Sequence, residues 1–239
     1  MVPSRRLACL LLAVMICLSS VFAQEELPND RHYIMTARPL PVARLNLSLG
    51  LDLTILPEPL TEGAIPAPMV DVRARLGLPL NLSGLFRAAS NYATTMVEAG
   101  GMWSVPIGNL SIGAGYRAAF MYGYLDYLYG FNTTQTMWLN YPMVMASWSF
   151  GTCTLTGRLE AELITSRQQR IEGQFVEATK RIFNGGSLTI AIEQPFWKQT
   201  HIMLGVSLIS SRNPYQAWFL YNTFDEVMFY PELFAGFLL

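Results

Sequence analysis

A two-residue alternation runs through "RLNLSLGLDLTIL", from Arg44 to Leu56. Leucine or isoleucine occupies every second position from Leu45 to Ile55, and polar residues or glycine occupy the positions between them. A period of two predicts a β-strand with one apolar and one polar face. This constrains the fold, because the apolar face must meet either a protein core or lipid.

The same alternation recurs along the chain. It is clear in 70–80, 110–122 and 152–165, shorter in 187–193 and 201–210, and less regular in 91–105 and 136–150. The clear segments are longer than the usual strand of about 5–6 residues. From Leu45 to Ile55 the chain spans roughly 33 Å, which a tilt of about 45° projects to about 23 Å. This length matches the lipid-facing band of a membrane barrel, which is about 25 Å tall.

The composition also separates the chain from ordinary soluble domains. Hydrophobic residues make up 51% and charged residues 14%, against about 25% charged residues in a typical soluble domain. The formal net charge is −1 and there is no basic stripe, so nucleic-acid binding has no support and we expect none. After the N-terminal segment, no apolar run approaches the ~18 residues of a membrane helix. We therefore predict an all-β fold, an antiparallel up-and-down transmembrane β-barrel.

The first 23 residues have the features of a secretory signal peptide. Arg5 and Arg6 precede an apolar run, and "VFA" precedes Gln24, so we expect cleavage after Ala23. Residues 24–43 then form an N-terminal segment, and 44–239 form the barrel. Cys153 is the one cysteine of the remaining chain, which excludes an intramolecular disulfide.

The final segment "ELFAGFLL" alternates through Leu233, Ala235, Phe237 and Leu239. Together with the signal-like N-terminus and the alternating segments, it makes the chain resemble the small outer-membrane β-barrel proteins of Gram-negative bacteria. The resemblance covers most of residues 44–239 and is one of pattern, since no motif identifies a particular family. It implies a porin-like barrel in outer-membrane lipid, and contact with the barrel-assembly machinery through the C-terminal strand. Oligomeric state is left open.

Nine alternating segments can be counted, including the terminal one, whereas single-chain bacterial barrels have an even number of strands. We expect ten strands, the extra one lying in "HYIMTARPL" (32–40); eight is the alternative. Short connections at 105–109, 149–152 and 193–200 alternate with long ones at 123–135, 166–185 and 211–227. Tyr122, Tyr124, Trp138 and Trp218 near the long connections predict an aromatic girdle at that interface.

If the apolar face meets lipid, the other face lines the lumen and carries many charges. The predicted lumen set contains five arginines and six carboxylates: Arg44, Asp52, Asp71, Arg73, Arg75, Glu98, Arg117, Arg158, Glu160, Glu162 and Glu193. Arginine can engage two carboxylates in fixed geometry. The set predicts a salt-bridge network that either plugs the barrel or lines a narrow pore for small solutes.

The sequence contains no pattern typical of an active site. His201 and Glu193 could form a base-orienting pair, but no serine motif accompanies them. No spacing of cysteine, histidine or carboxylates indicates a metal site, and no glycine-rich phosphate loop is present. We expect no enzymatic activity and no cofactor.

The long connection at 166–186 carries Arg167, Arg170, Lys180 and Arg181, which could contact an anionic headgroup or a partner. The sequence thus predicts a structural barrel or a narrow passive channel. Two alternatives remain: a surface-binding or adhesion barrel acting through its long loops, and a soluble secreted lipocalin-like lipid carrier with the apolar face inward.

Overall fold

The protein forms a closed antiparallel β-barrel. The computed structural model describes residues 34–61, 63–126, 132–178, 182–197, 200–219 and 226–238; the expected signal peptide and its cleavage site lie outside them. The strands are β1 Leu45–Leu56, β2 Ile65–Gly77, β3 Leu82–Ser90, β4 Thr94–Ile107, β5 Leu110–Asp126, β6 Asn132–Phe150, β7 Cys153–Ile171, β8 Gln174–Ala178, β9 Phe183–Trp197, β10 Thr200–Ser211 and β11 Met228–Leu238. Ten of them close the barrel through pairing of β1 with β11, and β8 adds a short hairpin to the far end of β7.

The two ends of the barrel differ in their connections. Tight turns at 78–81, 108–109 and 151–152 lie at one end, here called the turn end. The longer connections 57–64 and 212–227 lie at the opposite end, here called the loop end. They contain a short helix α1, Glu58–Thr61, and a single 3-10 turn, Tyr215–Ala217. Among the described residues, no helix has the length and apolar character needed to cross a membrane.

The leucines of β1 face outward. Leu45, Leu47, Leu49 and Leu51 expose between 39% and 60% of their surface, whereas Asp52 is buried. Leu76, Leu155, Ile190 and Leu204 on other strands are likewise exposed. The exterior is therefore apolar and the lumen polar, the reverse of a lipocalin-like carrier.

The barrel has the ten strands that the sequence predicts, but the tenth is β3. The expected strand at 32–40 is wrong over its described residues, because 34–43 form no strand. The alternation in β3 is weak because Gly84 and Ala88 take outward positions and Leu85 points inward. The two faces of this strand therefore differ little in hydrophobicity.

The predicted strand 70–80 ends earlier, at Gly77. Leu80 and Asn81 both have a positive φ of 60°, and the Leu82 N–H donates to the Pro79 carbonyl. Two central residues with positive φ are required by a type I′ hairpin turn. The alternation of leucines in the sequence therefore runs past the end of β2 and into the turn that joins β2 to β3.

Candidate functional site

A continuous chain of ion pairs fills the middle of the lumen. Each contact joins an arginine to a carboxylate, and the members lie on six strands: Asp52 on β1, Asp71 and Arg73 on β2, Arg87 on β3, Glu98 on β4, Arg117 on β5, and Arg158 and Glu160 on β7. We call this set the charge chain. Four arginines face four carboxylates, so the charge chain is neutral as a whole.

Arg87 lies at the centre of the charge chain. Its guanidinium pairs with Asp52 and Asp71, and its Nη1 lies 3.0 Å from the Glu98 carboxylate. Glu98 pairs on its other side with Arg117, which in turn contacts Glu160. All of these side chains are at least partly buried. Charge-assisted hydrogen bonds of this kind are stronger than neutral ones, and each buried ion depends on its partner.

The structure brings together seven of the eleven predicted lumen residues in the charge chain, and places the other four elsewhere. Arg75 and Glu193 are buried but contact the N-terminal segment. Glu162 is buried on β7, one inward position beyond Glu160. Arg44 is half-buried and precedes β1 at the turn end.

The segment 34–43, here called the inner strap, enters the lumen from the turn end: residues 34–37 are buried inside it, and residues 41–43 are exposed. The N–H groups of Ile34 and Met35 donate to the Glu193 carboxylate at 2.7 and 3.1 Å. Arg75 donates to the carbonyls of Thr36 and Arg38, the latter at 2.7 Å. Arg75 and Glu193 thus hold the strap by its backbone, which requires no particular strap side chains.

Side chains of the strap pack into apolar surroundings. Met35 lies in a cluster with Met203 and Phe234, and Ala37 packs with Met102 and Met143. The strap also comes close to the wall, because a Cβ on Gly77 would lie 1.9 Å from the Pro41 carbonyl oxygen. The turn end of the lumen is closed by this packing.

The connection 212–219 closes the loop end. The Gln216 side chain donates to Thr54 and to Glu232, both at 3.2 Å. The Trp218 indole N–H donates to the Thr94 hydroxyl at 2.9 Å, and its ring lies against Gly123. Burial raises the pKa of the Tyr215 phenol well above its usual value, so the phenol stays neutral. Trp218 therefore belongs to the lumen, and its predicted place in the outer girdle is wrong.

Between the described residues the lumen contains small cavities, of which two have about 50 Å³ each. One lies toward the inner strap and is lined by Met35 and Phe234. The other lies toward the loop end and is lined by Tyr215 and Glu162. Both are bordered by Arg87 and other arginines of the charge chain. Each has room for only a few water molecules, so neither of these cavities forms a wide passage between the described residues.

Of the predicted loop contacts, Arg170 is exposed at the loop end, while Lys180 and Arg181 lie outside the described residues. The prediction for Arg167 is wrong: it is buried and donates to the side chain of Asn213. The reason is that β7 continues to Ile171 and that an irregularity at Thr165 shifts its alternation. Arg167 therefore faces inward, whereas an uninterrupted strand would have placed it outward with Leu163.

Sequence reasoning missed Arg87, Glu232, Trp218 and the strap. Arg87 could have been found from the weak alternation of Ser83, Leu85, Arg87 and Ala89, given the need for an even strand number. Glu232 lies on β11, one inward position before Phe234. No local pattern indicates that the strap and Trp218 enter the lumen, since their contacts are with residues far away in sequence.

Glu193 and His201 are both buried near the turn end. One Glu193 oxygen accepts the two strap N–H groups, so the carboxylate serves to hold the strap. Within the described part of the chain, no group of three or more histidine, cysteine or acidic side chains is placed to hold a metal ion.

No family model matches the chain, and no curated protein matches it either. Among solved structures, it is similar to CdiB from Acinetobacter baumannii, with 12% identity and a TM-score of 0.33 over 69% of this chain. That match spans 31% of CdiB. It is also similar to OmpT of Vibrio cholerae, with 8% identity and a TM-score of 0.20, over 84% of this chain and all of that one. The chain thus has a distant structural resemblance to outer-membrane β-barrels.

Proposed function

We propose that the protein is an integral outer-membrane barrel with a closed lumen and a structural role. The observation that carries this proposal is the inversion of its surfaces: leucines cover the outside, and ion pairs fill the inside. A contiguous apolar exterior of this extent is unfavourable in water and suited to lipid.

The closed lumen favours a structural barrel over an open channel. The inner strap, the charge chain and the connection 212–219 obstruct the lumen at three successive levels. Passage of a solute would require displacement of buried, hydrogen-bonded groups at each level. The sequence of residues 1–23 supports export, and the alternating β11 is the expected contact for the barrel-assembly machinery. We propose no catalytic role.

The test begins with cell envelopes. Under this proposal the protein resists carbonate extraction and migrates differently on SDS gels with and without boiling, as a closed barrel does. Recovery in a soluble fraction, with one mobility at either temperature, would overturn the membrane assignment. Purified protein in planar bilayers should then show no steady conductance. A steady open level would leave the barrel intact but replace the structural role with the narrow-channel role.

A surface-binding role is the second candidate, and one observation favours it. The hairpin of β7 and β8 extends the sheet at the loop end, and there Phe175 and Val176 expose 57% and 43% of their surface. Arg170 is exposed on the same hairpin. Binding of intact cells or vesicles to a surface should fall when Phe175 and Arg170 are replaced by serine, with the barrel still shifting on unboiled gels.

A further inference from the structure

The outer wall of the barrel carries a hydrogen-bonded group of polar side chains within its apolar band. Tyr116 on β5 and Asn140 on β6 take outward positions, and Thr165 lies beside them, at the irregularity in the pairing of β6 with β7. Tyr116 exposes 48% of its surface, Thr165 is exposed, and Asn140 is half-buried. We call these three residues the outer polar cluster.

The outer polar cluster lies at a depth where the proposed membrane offers hydrocarbon. Asn140 follows the exposed Trp138 by two residues, which places it roughly 7 Å along the strand toward the turn end. Tyr116 pairs opposite Pro142 and lies further still from the loop end. Lipid tails carry no hydrogen-bonding group, so polar side chains that face them are unfavourable, and such side chains often have a function.

The amide of Asn140 has hydrogen-bonding capacity that the barrel itself does not use. Its Oδ1 accepts from the Tyr116 hydroxyl, and its Nδ2 donates to the Thr165 hydroxyl at 3.1 Å. A side-chain amide has two N–H donors and two acceptor lone pairs. Within the described part of the chain, one donor and one acceptor of Asn140 are therefore left over. A partner with an acceptor and a donor side by side would satisfy both.

We propose that the outer polar cluster is the centre of a contact between two copies of this chain, which rests on the proposed membrane location. Two barrels inserted in the same direction place Asn140 at the same depth. The two amides can then meet on a two-fold axis along the membrane normal, where each donates its remaining N–H to the oxygen of the other. Lipid tails offer neither group and ester carbonyls only accept, whereas a second Asn140 offers both.

The wall beside the outer polar cluster allows a close approach of the second barrel. Ala118 pairs opposite Asn140, and Ala99 pairs opposite Ala118. Gly101 pairs opposite Tyr116. These three small residues take outward positions in the middle of β4 and β5, whereas β1 carries leucines at its outward positions. Small residues in membrane contacts let two backbones come close enough for polar side chains to bond across the interface.

Cysteines on the outer wall test the contact in cell envelopes. Ala118→Cys lies beside Asn140, and Ala235→Cys is the matched control, since Ala235 is an outward alanine on β11, five strands away. After treatment with a short bismaleimide, SDS gels should show a dimer for Ala118→Cys. They should show only monomer for Ala235→Cys and for the unaltered chain, whose Cys153 is buried.

The failure of this proposal can be distinguished from that of the membrane location. Monomer in all three samples, from a protein that resists carbonate extraction and shifts on unboiled gels, overturns the dimer and leaves the membrane location standing. Recovery of the protein in a soluble fraction overturns both.

A second measurement tests the role of Asn140 itself. Sedimentation equilibrium of the full chain in density-matched detergent gives the dissociation constant of the dimer. We expect Asn140→Leu to raise this Kd about tenfold, because two hydrogen bonds between the copies are lost. Gln194→Leu is the matched control, since Gln194 is another half-buried amide at an outward position, on β9, and it should leave the Kd unchanged.

Two results would overturn the assignment to Asn140. One is a Kd that Asn140→Leu does not change, or that both variants raise equally. The other is a monomer at every dilution, together with a lipid that the unaltered protein retains through purification and Asn140→Leu loses. In that case a lipid, and not a second copy, covers the outer polar cluster.

Discussion

At the scale of single residues, the lumen depends most on Arg87. This side chain forms ion pairs with Asp52, Asp71 and Glu98 at once. Replacing it with methionine of similar length leaves three buried carboxylates with fewer partners, and removal of one member of a buried pair costs about 3–5 kcal/mol. We expect Arg87→Met to lower the free energy of unfolding by at least that amount, measured by urea unfolding of the protein refolded in lipid.

Arg158 is the matched comparison because it lies at the end of the charge chain and pairs only with Glu160 within it. Arg158→Met should therefore cost less than Arg87→Met. If the two variants lose the same free energy of unfolding, then a residue's position within the charge chain has no influence, and the charges act independently.

At the scale of elements, the inner strap depends on a close approach to β2. A Cβ on Gly77 would lie 1.9 Å from the Pro41 carbonyl oxygen, whereas a Cβ on Gly157 would meet nothing within 4 Å. We expect Gly77→Ala to displace the strap and to expose it to limited proteolysis, with the barrel still shifting on unboiled gels. Gly157→Ala should leave the cleavage rate unchanged. A strap that stays protected in Gly77→Ala would contradict the packing described above.

The connection 212–219, which closes the loop end, depends on Trp218 in a similar way. Its ring packs on Gly123 and its indole N–H bonds to Thr94. Trp218→Ala removes both contacts, and we expect faster proteolysis within 212–219. Trp218→Phe retains an aromatic ring and loses the hydrogen bond, so its cleavage rate should lie between those of the alanine variant and the unaltered protein. An unchanged cleavage rate in the alanine variant would mean that other contacts hold the connection 212–219 in place.

Elements differ in how well the sequence predicts them, for a physical reason. β1 and β2 have strong contrast between faces, so their inward residues Asp52 and Arg73 could be assigned from the period alone. β3 has small or apolar residues on both faces, and its Arg87 was therefore missed. The strap and Trp218 are positioned by contacts distant in sequence, such as Ile34 with Glu193, and local patterns carry no information about these contacts.

At the scale of the whole molecule, the structure explains why so few charged residues are sufficient. In the proposed membrane location, lipid replaces the charged surface that a soluble protein needs. The available charges can then be concentrated in the lumen, where each arginine of the charge chain has a carboxylate partner. The lumen side chains are long enough to reach beyond the neighbouring strand, as Arg117 on β5 does when it contacts Glu160 on β7, two strands away. The charges therefore fill the interior in the place of an apolar core.

This arrangement predicts a depth-dependent response to charge on the exterior. Leu51 lies in the middle of β1 and Leu45 at its first residue, and both are exposed, by 60% and 56%. In a bilayer, arginine at mid-depth costs about 2–4 kcal/mol and near an interface about 0–1 kcal/mol. We expect Leu51→Arg to destabilise the protein by the larger amount and Leu45→Arg by the smaller, in reversible urea unfolding from lipid vesicles. In a water-exposed barrel the two substitutions would be nearly equal and close to neutral, because both side chains would already be solvated. Equal effects of the two arginines would therefore place water, and not lipid, around β1.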